Sequence, residues 1–571
     1  MRRRTFFSLV VLAATVLLVA PVIATAQDYL YVEEANFYSV PKALPYHDGS
    51  FGGKDFLANP ALMAVENDVL FFLSSYYLGS TTDVDVDGFY TVRNIILPPI
   101  PGSVAISGDE KYQVNNWVTD AGFTLGLSDA ARFGFFLRYR YGDVGMEGDT
   151  TFTQTLTINN VSHFSDYSSD SDVNDISLAL LLDLDLAEAF SMGVGFKYDY
   201  VIDRSDFDLS SAGTAAIFNP NEISTMSRSF DMDYHRFAPV LGFSVAPTDA
   251  LSLDMSVEMG FIVGGVEEGA RFYSNHPIIP AVLGLQTHTH AFDSRDLDGW
   301  DIGTGLDVAY ALNDTISMPF FADFAYATMD WSLDGTGTGL FFPTYLTALP
   351  TADGLTAHEN DYAEWSLSGG AGVDLALDPM DLGFALSYTH WEYANDYWYR
   401  TVMASTLFGP FVPGNAAVFD ESVSEKRNVF SLDVTMEKDF SDSLSAAFGM
   451  RYDLGWGVMD LDRSYRSAFL YVPPVPTLTT SYDDRDFFHN LTLAADVSFM
   501  PVDRLTLSLG GMVRIPLDGL DYELDGSGGG TYNGIPALGV SGRFDYNGPA
   551  SFGYDTTTWE YGGRLELKYE F

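Results

Sequence analysis

Residues 559 to 571 read WEYGGRLELKYEF, and this closing stretch decides the fold. In an extended chain successive side chains point to opposite faces, so Trp559, Tyr561, Gly563, Leu565, Leu567, Tyr569 and Phe571 share one side. Glu560, Gly562, Arg564, Glu566, Lys568 and Glu570 share the other. Such a strand belongs at a boundary between an apolar medium and a wet one.

The same period of two recurs upstream. Leu251, Leu253, Met255, Val257, Met259, Phe261 and Val263 alternate with Ser252, Asp254, Ser256, Glu258, Gly260 and Ile262, a strand with one apolar and one mostly polar face. The tight polar turn Pro247-Thr248-Asp249-Ala250 joins it to a second alternating strand through Phe237, Pro239, Leu241, Phe243 and Val245. This strand, short turn, strand unit repeats around residues 128–131, 185–189, 312–315, 378–381, 440–443 and 501–504, with polar loops rich in Asp, Ser, Gly and Tyr between units. Short turns on one side and long loops on the other are the pattern of a transmembrane antiparallel β-barrel. The pattern predicts sixteen spans, from 69–79 to 558–571, with fourteen the alternative if the first span and the one after Asp314 fail. An apolar face repeated over so many strands has no matching sheet to cover it, whereas lipid solvates it and closure satisfies every backbone donor and acceptor. Tyr139, Tyr141, Tyr198, Tyr200, Tyr388, Tyr452 and Trp456, near the loop-side strand ends, suit an interfacial girdle.

The chain opens with Arg2, Arg3 and Arg4, an apolar run from Phe6 to Val22, and Ala24-Thr25-Ala26, the layout of a secretory signal peptide over residues 1–26. Residues 67–571 form the expected barrel. Between them, residues 27–66 are too rich in Pro and Gly for spans and too apolar for a disordered tail, so they are expected to form a plug in the lumen. The formal charge of −49 argues against a nucleic-acid partner, and the absence of cysteine excludes disulfides, thiolate metal sites and a Cys nucleophile. Location in a bacterial outer membrane follows, with outer-membrane lipid as the surroundings.

Phe56-Leu57-Ala58-Asn59-Pro60-Ala61-Leu62 stands directly before the first strand. With this motif the chain resembles the long-chain fatty acid transporter family of outer-membrane proteins (FadL/TodX type), whose hatch carries Asn-Pro-Ala before the first barrel strand. Asn59, Pro60 and Ala61 match it. The resemblance implies passive uptake of a hydrophobic small-molecule cargo, hatch movement and sideways exit through a gap in the wall. Pro239, without a backbone donor in the middle of a strand, marks where that gap would lie; a bulge without a transport role is the other reading. The terminal Phe571, with Tyr569, resembles the signal by which barrel-assembly machinery recognises its clients.

The inward parity carries Arg138, Arg140, Lys197, Arg451, Arg514, Arg564 and Lys568 on spans near the closing seam, and Asp254, Glu258, Asp301, Asp307, Asp374, Asp433, Glu437 and Asp496 mainly on spans 7 to 14. Two readings are open: a basic arc facing an acidic one, as in a porin-like channel for polar solutes, or charges that neutralise one another in a plugged interior. A structural or adhesive surface barrel is the third functional class. Asp83, Asp85 and Asp87, followed by Gly88, match the first half of a calcium loop, but Asn94 stands where the closing Glu belongs. Weak calcium binding over acidic outer loops is the remaining cofactor expectation. His288 and His290, with Asp293, could share a metal from one face of an extended loop, though exposed histidines are the plainer reading. No Gly-x-Ser-x-Gly, His-Glu-x-x-His or phosphate-loop motif occurs, and His235, His390 and His489 are the strand-borne histidines without an obvious serine partner. An enzyme is not expected.

Overall fold

In the computed structural model, described residues are 57, 59–63, 69–94, 100–156, 159–215, 219–274, 286–340, 354–377, 380–403, 415–441, 443–467, 477–518, 520–533 and 543–570. The expected signal peptide, most of residues 27–66, and Phe571 lie outside them.

A short 3₁₀ turn, Pro60–Leu62, precedes the barrel strands. In chain order these are β1 (Val69–Asn94), β2 (Ile100–Ser128), β3 (Ala131–Leu156), β4 (Asn159–Ala187), β5 (Phe190–Ala215), β6 (Asn219–Thr248) and β7 (Leu251–Ser274). There follow β8 (Gln286–Asn313), β9 (Ile316–Leu340), β10 (Gly354–Leu377), β11 (Met380–Met403), β12 (Asn415–Ser441) and β13 (Leu444–Ser467). The last are β14 (Thr477–Val502), β15 (Leu505–Asp518), β16 (Leu520–Asn533) and β17 (Arg543–Glu570). Each pairs antiparallel with its neighbours in sequence, and β15 and β16 occupy one place between β14 and β17. The wall therefore has sixteen staves, one for each expected span. It closes where β17 meets β1, from Leu70 opposite Glu570 to Asn94 opposite Phe544. Closure leaves no strand edge in the described wall, as a lipid-embedded sheet requires.

The two faces follow the alternation. On β17 Trp559, Tyr561 and Leu565 are exposed on the outside while Glu560 is buried on the inside. On β2 the outward Trp117, Phe123 and Leu127 span about ten residues, the length a tilted strand needs to cross the hydrocarbon layer. Phe430 to Phe440 on β12 do the same. At the long-loop edge of this band rings pack in pairs: Tyr77 with Trp117 (4.5 Å), Trp300 with Tyr326 (4.9 Å), Tyr388 with Phe430 (5.0 Å). That belt lies where the sequence pattern puts its interfacial girdle.

The strands correct one expectation. The long polar loops are, in their described parts, continuations of the strands: β6 has 30 residues. At about 3.4 Å per residue and about 45° of tilt this wall rises roughly 70 Å, against about 30 Å of hydrocarbon. Beyond the girdle the outer face meets water while the inner face buries side chains such as Val173 and Phe230, so the apolar-out alternation that marks a span is lost while the hydrogen-bonded ladder continues.

Candidate functional site

The interior is layered from the short-turn mouth to the long-loop mouth. At the first, Asn59-Pro60-Ala61 rests on the inner wall of β5 and β6. Asn59 Nδ2 donates to the Phe243 carbonyl (3.2 Å), and Asn59 Oδ1 accepts from Ala61 N–H (3.1 Å), capping the 3₁₀ turn. Pro60 fits the first turn, where no donor is needed. The wall beneath is glycine: a Cβ on Gly242 would overlap Asn59 Oδ1, and one on Gly193 would overlap the Pro60–Ala61 peptide. Gly134 lies under Met63, where a Cβ would be 2.9 Å from Sδ. Met63 is 1% exposed and packs with Phe72, Phe136, Ala179 and Leu181. All of these carry the inward parity, so the described part of the hatch motif sits in the lumen. Nearby, Arg132 forks to Asp183 (2.8 Å) and Asp185 (2.9 Å), and Ser191 Oγ donates to Asp185 (2.7 Å).

A charged layer follows, reaching up to the level of the girdle, where Arg138 and Arg140 flank Tyr139 and Arg236 stands beside His235. Arg236 on β6 binds Asp199 (2.9 Å), Glu258 (2.6 Å) and Asp301 (2.6 Å), and Lys197 also reaches Glu258 (2.5 Å). Arg138 pairs with Asp120 (2.7 Å), Arg451 with Asp453 (2.8 Å) and more loosely with Asp433 (3.9 Å), Arg514 with Glu560 (2.9 Å), and Arg564 with Asp496 (2.8 Å). Arg140 is buried and has Asp175 and Asp203 as its electrostatic neighbours. Asp254 stands opposite Asp307 across β7 and β8, and Asp374 accepts from Ser317 Oγ (3.3 Å). Of the two readings left open, these pairs match charges that neutralise one another: the paired cations meet carboxylates on their own or nearby strands. Register decides this, because it brings Arg138 beside Asp120, and Arg236, which the sequence pattern does not single out, beside three carboxylates.

The third layer, inside the long-loop mouth, is apolar. Val144, Val173, Val201, Phe230, Met232, Tyr234, Ile262, Val266 and Leu297 form one buried cluster, with Val114, Met329 and Trp331 against it. Phe230 on β6 and Trp331 on β9 lie 5.9 Å apart although β7 and β8 stand between their strands, so the side chains meet through the lumen. Next to it on β10 to β12, beginning at Tyr362 opposite Met329, Tyr362, Trp391, Tyr393 and Val423 form a second cluster, with Arg427 over the Trp391 ring at 5.5 Å.

The remaining sequence sites fall elsewhere. Pro239 is exposed on the lipid face of β6. Its pairing with β5 is kept, but the β6–β7 ladder passes from Phe237–Phe261 to Val240–Glu258, omitting the Ala238 and Pro239 positions without a change of register. Asp83, Asp85 and Asp87 stand at alternate places on extended β1 and not in a loop that could wrap an ion. Among the described residues no group of three or more His, Asp or Glu is placed to hold a metal. His288 and His290 lie on β8, and His235, His390 and His489 on β6, β11 and β14.

The Asn59–Met63 segment on the inner wall, a charged layer of local ion pairs and an apolar mouth belong to a membrane-spanning β-barrel. No family model matches the sequence, and no curated protein matches it. Among solved structures it is similar to a Pseudomonas aeruginosa FadL homologue (13% identity, 90% of this chain and 93% of that one, TM-score 0.36) and the P. putida toluene transporter TodX (10%, 91% and 94%, 0.36). A third similar structure is the copper transporter OprC (8%, 86% and 82%, 0.25). What this barrel does has to be argued from its own residues.

Proposed function

We propose that this protein lies in a bacterial outer membrane and admits hydrophobic small molecules passively through its plugged barrel. The apolar cluster inside the long-loop mouth, where Phe230 and Trp331 meet over β7 and β8, carries the reading. Water-filled channels for polar solutes line their mouths with polar groups; this one offers hydrocarbon and rings. Cargo partitions onto that cluster and meets the charge belt, whose named cations are already neutralised locally and so do not draw in anions. Movement of the Asn59-Pro60-Ala61 hatch then opens the way onward. The two-position interruption beside Pro239 supports a sideways exit there. Export by residues 1–26 and assembly through Phe571 belong to the same proposal, as does the absence of catalysis.

The test is uptake of an apolar dye by cells expressing the protein, alongside conductance in planar bilayers. Phe230→Asp with Trp331→Asp is expected to lower uptake at least several-fold in correctly assembled protein. Large, stable ion conductance by the unaltered barrel, with uptake indifferent to that double change, would overturn the proposal in favour of a polar channel.

A further inference from the structure

Within the apolar layer one inward row crosses the wall from β7 to β12: Ile262, Gly299, Met329, Tyr362, Asn395 and Val423 stand opposite one another in turn. Asn395 is the one amide side chain in it. Ala394 and Asp396 on either side are exposed, so Asn395 shares the inward parity of Trp391 and Tyr393, and it is only 6% exposed. Its Oδ1 is closed off from solvent and has no hydrogen-bond partner among the described residues. A buried carboxamide left unpaired costs stability that an aliphatic side chain at the same place would not.

The polar groups around it are engaged with one another. Tyr362 OH (2.5 Å) and Trp391 Nε1 (2.7 Å) both donate to Glu364, and Arg427 Nε donates to Glu425 (2.5 Å) while its guanidinium lies over the Trp391 ring. The rings themselves pack closely, Trp391 on Tyr393 at 5.1 Å and Tyr362 on Tyr393 at 6.4 Å. A guanidinium and two carboxylates in one cluster stand against a charged cargo of either sign. An open acceptor among three rings suits a neutral molecule that brings a ring to stack and one hydroxyl to donate.

We propose that Asn395 is the selectivity residue of the apolar layer, and that the preferred cargo is a neutral ring compound bearing a hydroxyl group, which donates to Asn395 Oδ1. The assignment rests on apolar uptake being what the barrel does, and it adds the class of molecule taken up. Entry requires the packed rings to part, and the new hydrogen bond offsets that cost for a hydroxylated cargo but not for a plain hydrocarbon.

The experiment uses the full barrel in dodecyl maltoside micelles and equilibrium dialysis of two probes of the same ring and similar size, 2-naphthol and 2-methylnaphthalene. Each binding curve is corrected for the probe's partition into micelles without protein. Saturable binding of both is expected, with 2-naphthol tighter by about five-fold or more, the worth of one neutral hydrogen bond. That preference is expected to vanish in Asn395→Leu and in the smaller Asn395→Val, whose retained heat-modifiability on gels shows that they are folded. Equal affinities in the unaltered barrel, or a preference that survives both substitutions, would overturn the role of Asn395 and leave apolar uptake standing. No saturable binding of either probe would overturn apolar uptake itself, and this assignment with it.

Discussion

Gly242 lies so close beneath Asn59 that even a methyl group on it would overlap the Asn59 carboxamide oxygen. The inner wall is shaped to accept the backbone of the hatch motif, and the fit can be broken with one carbon. Gly242→Ala and Gly193→Ala are expected to destabilise the docked hatch by about 1–3 kcal/mol, shifting it from its seat by roughly 5- to 150-fold. Single-channel recording should show longer or more frequent openings in both variants. Gly303→Ala is the control, since a Cβ there meets nothing within 4 Å. Unchanged recordings in all three would mean that the hatch does not gate the lumen.

Arg236 is the hub of the charged layer, and its loss leaves Asp199, Glu258 and Asp301 without their shared cation. Uncompensated carboxylates in a partly buried site make Arg236→Met expensive, on the order of 3 kcal/mol in a urea titration of the folded barrel in vesicles. Arg204→Met removes an ion pair of 3.7 Å whose side chains are 69% and 56% exposed, and should cost under about 0.5 kcal/mol. Comparable losses at the two positions would show that the Arg236 cluster is no more than solvated surface charge.

Much of this architecture is legible in the amino-acid sequence. Lipid on one face and water on the other impose a strict alternation, and the sixteen expected spans map onto sixteen staves for that reason. Outside the bilayer the constraint disappears, so the polar extension of β6 past Asp231 reads as loop. The partners of Arg138 and Arg451 stay hidden because an inward position says nothing about which inward neighbour register will supply. The hatch seat does leave a trace: Gly193, Gly195 and Gly242 put the smallest residues on the inward parity of neighbouring spans. His390 and His489 invite a catalytic reading as strand-borne histidines, yet their parity with Leu386 and Phe487 turns them toward lipid.

Asp330 stands opposite Asp298 on one side and Asp361 on the other, all outward and exposed. Burial, and then those two neighbouring carboxylates, raise the Asp330 pKa above its usual value. Like charges directly across a ladder destabilise it, so Asp330→Asn should stabilise the barrel by about 0.2–1 kcal/mol. The same repulsion is screened by salt, whose Debye length falls to about 8 Å at physiological ionic strength. Thermal unfolding should therefore move upward between about 10 and about 150 mM salt in the unaltered protein and less in Asp330→Asn. A melting temperature that falls with salt would mean that the attractive lumen pairs outweigh the repulsive outer row.

Leu386 on β11 is 66% exposed between Phe384 and Tyr388, within the band assigned to lipid. Were the barrel a water-soluble shell, an arginine there would be harmless. In a bilayer the charge must be carried at depth, and Leu386→Arg is expected to cost about 2–4 kcal/mol at the midplane, with about 0–1 near the interface. Ala394 is exposed on the same face of the same strand but beyond the girdle, so Ala394→Arg should fall at the low end of that scale. Folding titrations in phospholipid vesicles measure both. A large cost at Leu386 with a small one at Ala394 fixes the upper edge of the membrane between them, while equal costs would place both positions in the same medium and remove the girdle as the boundary.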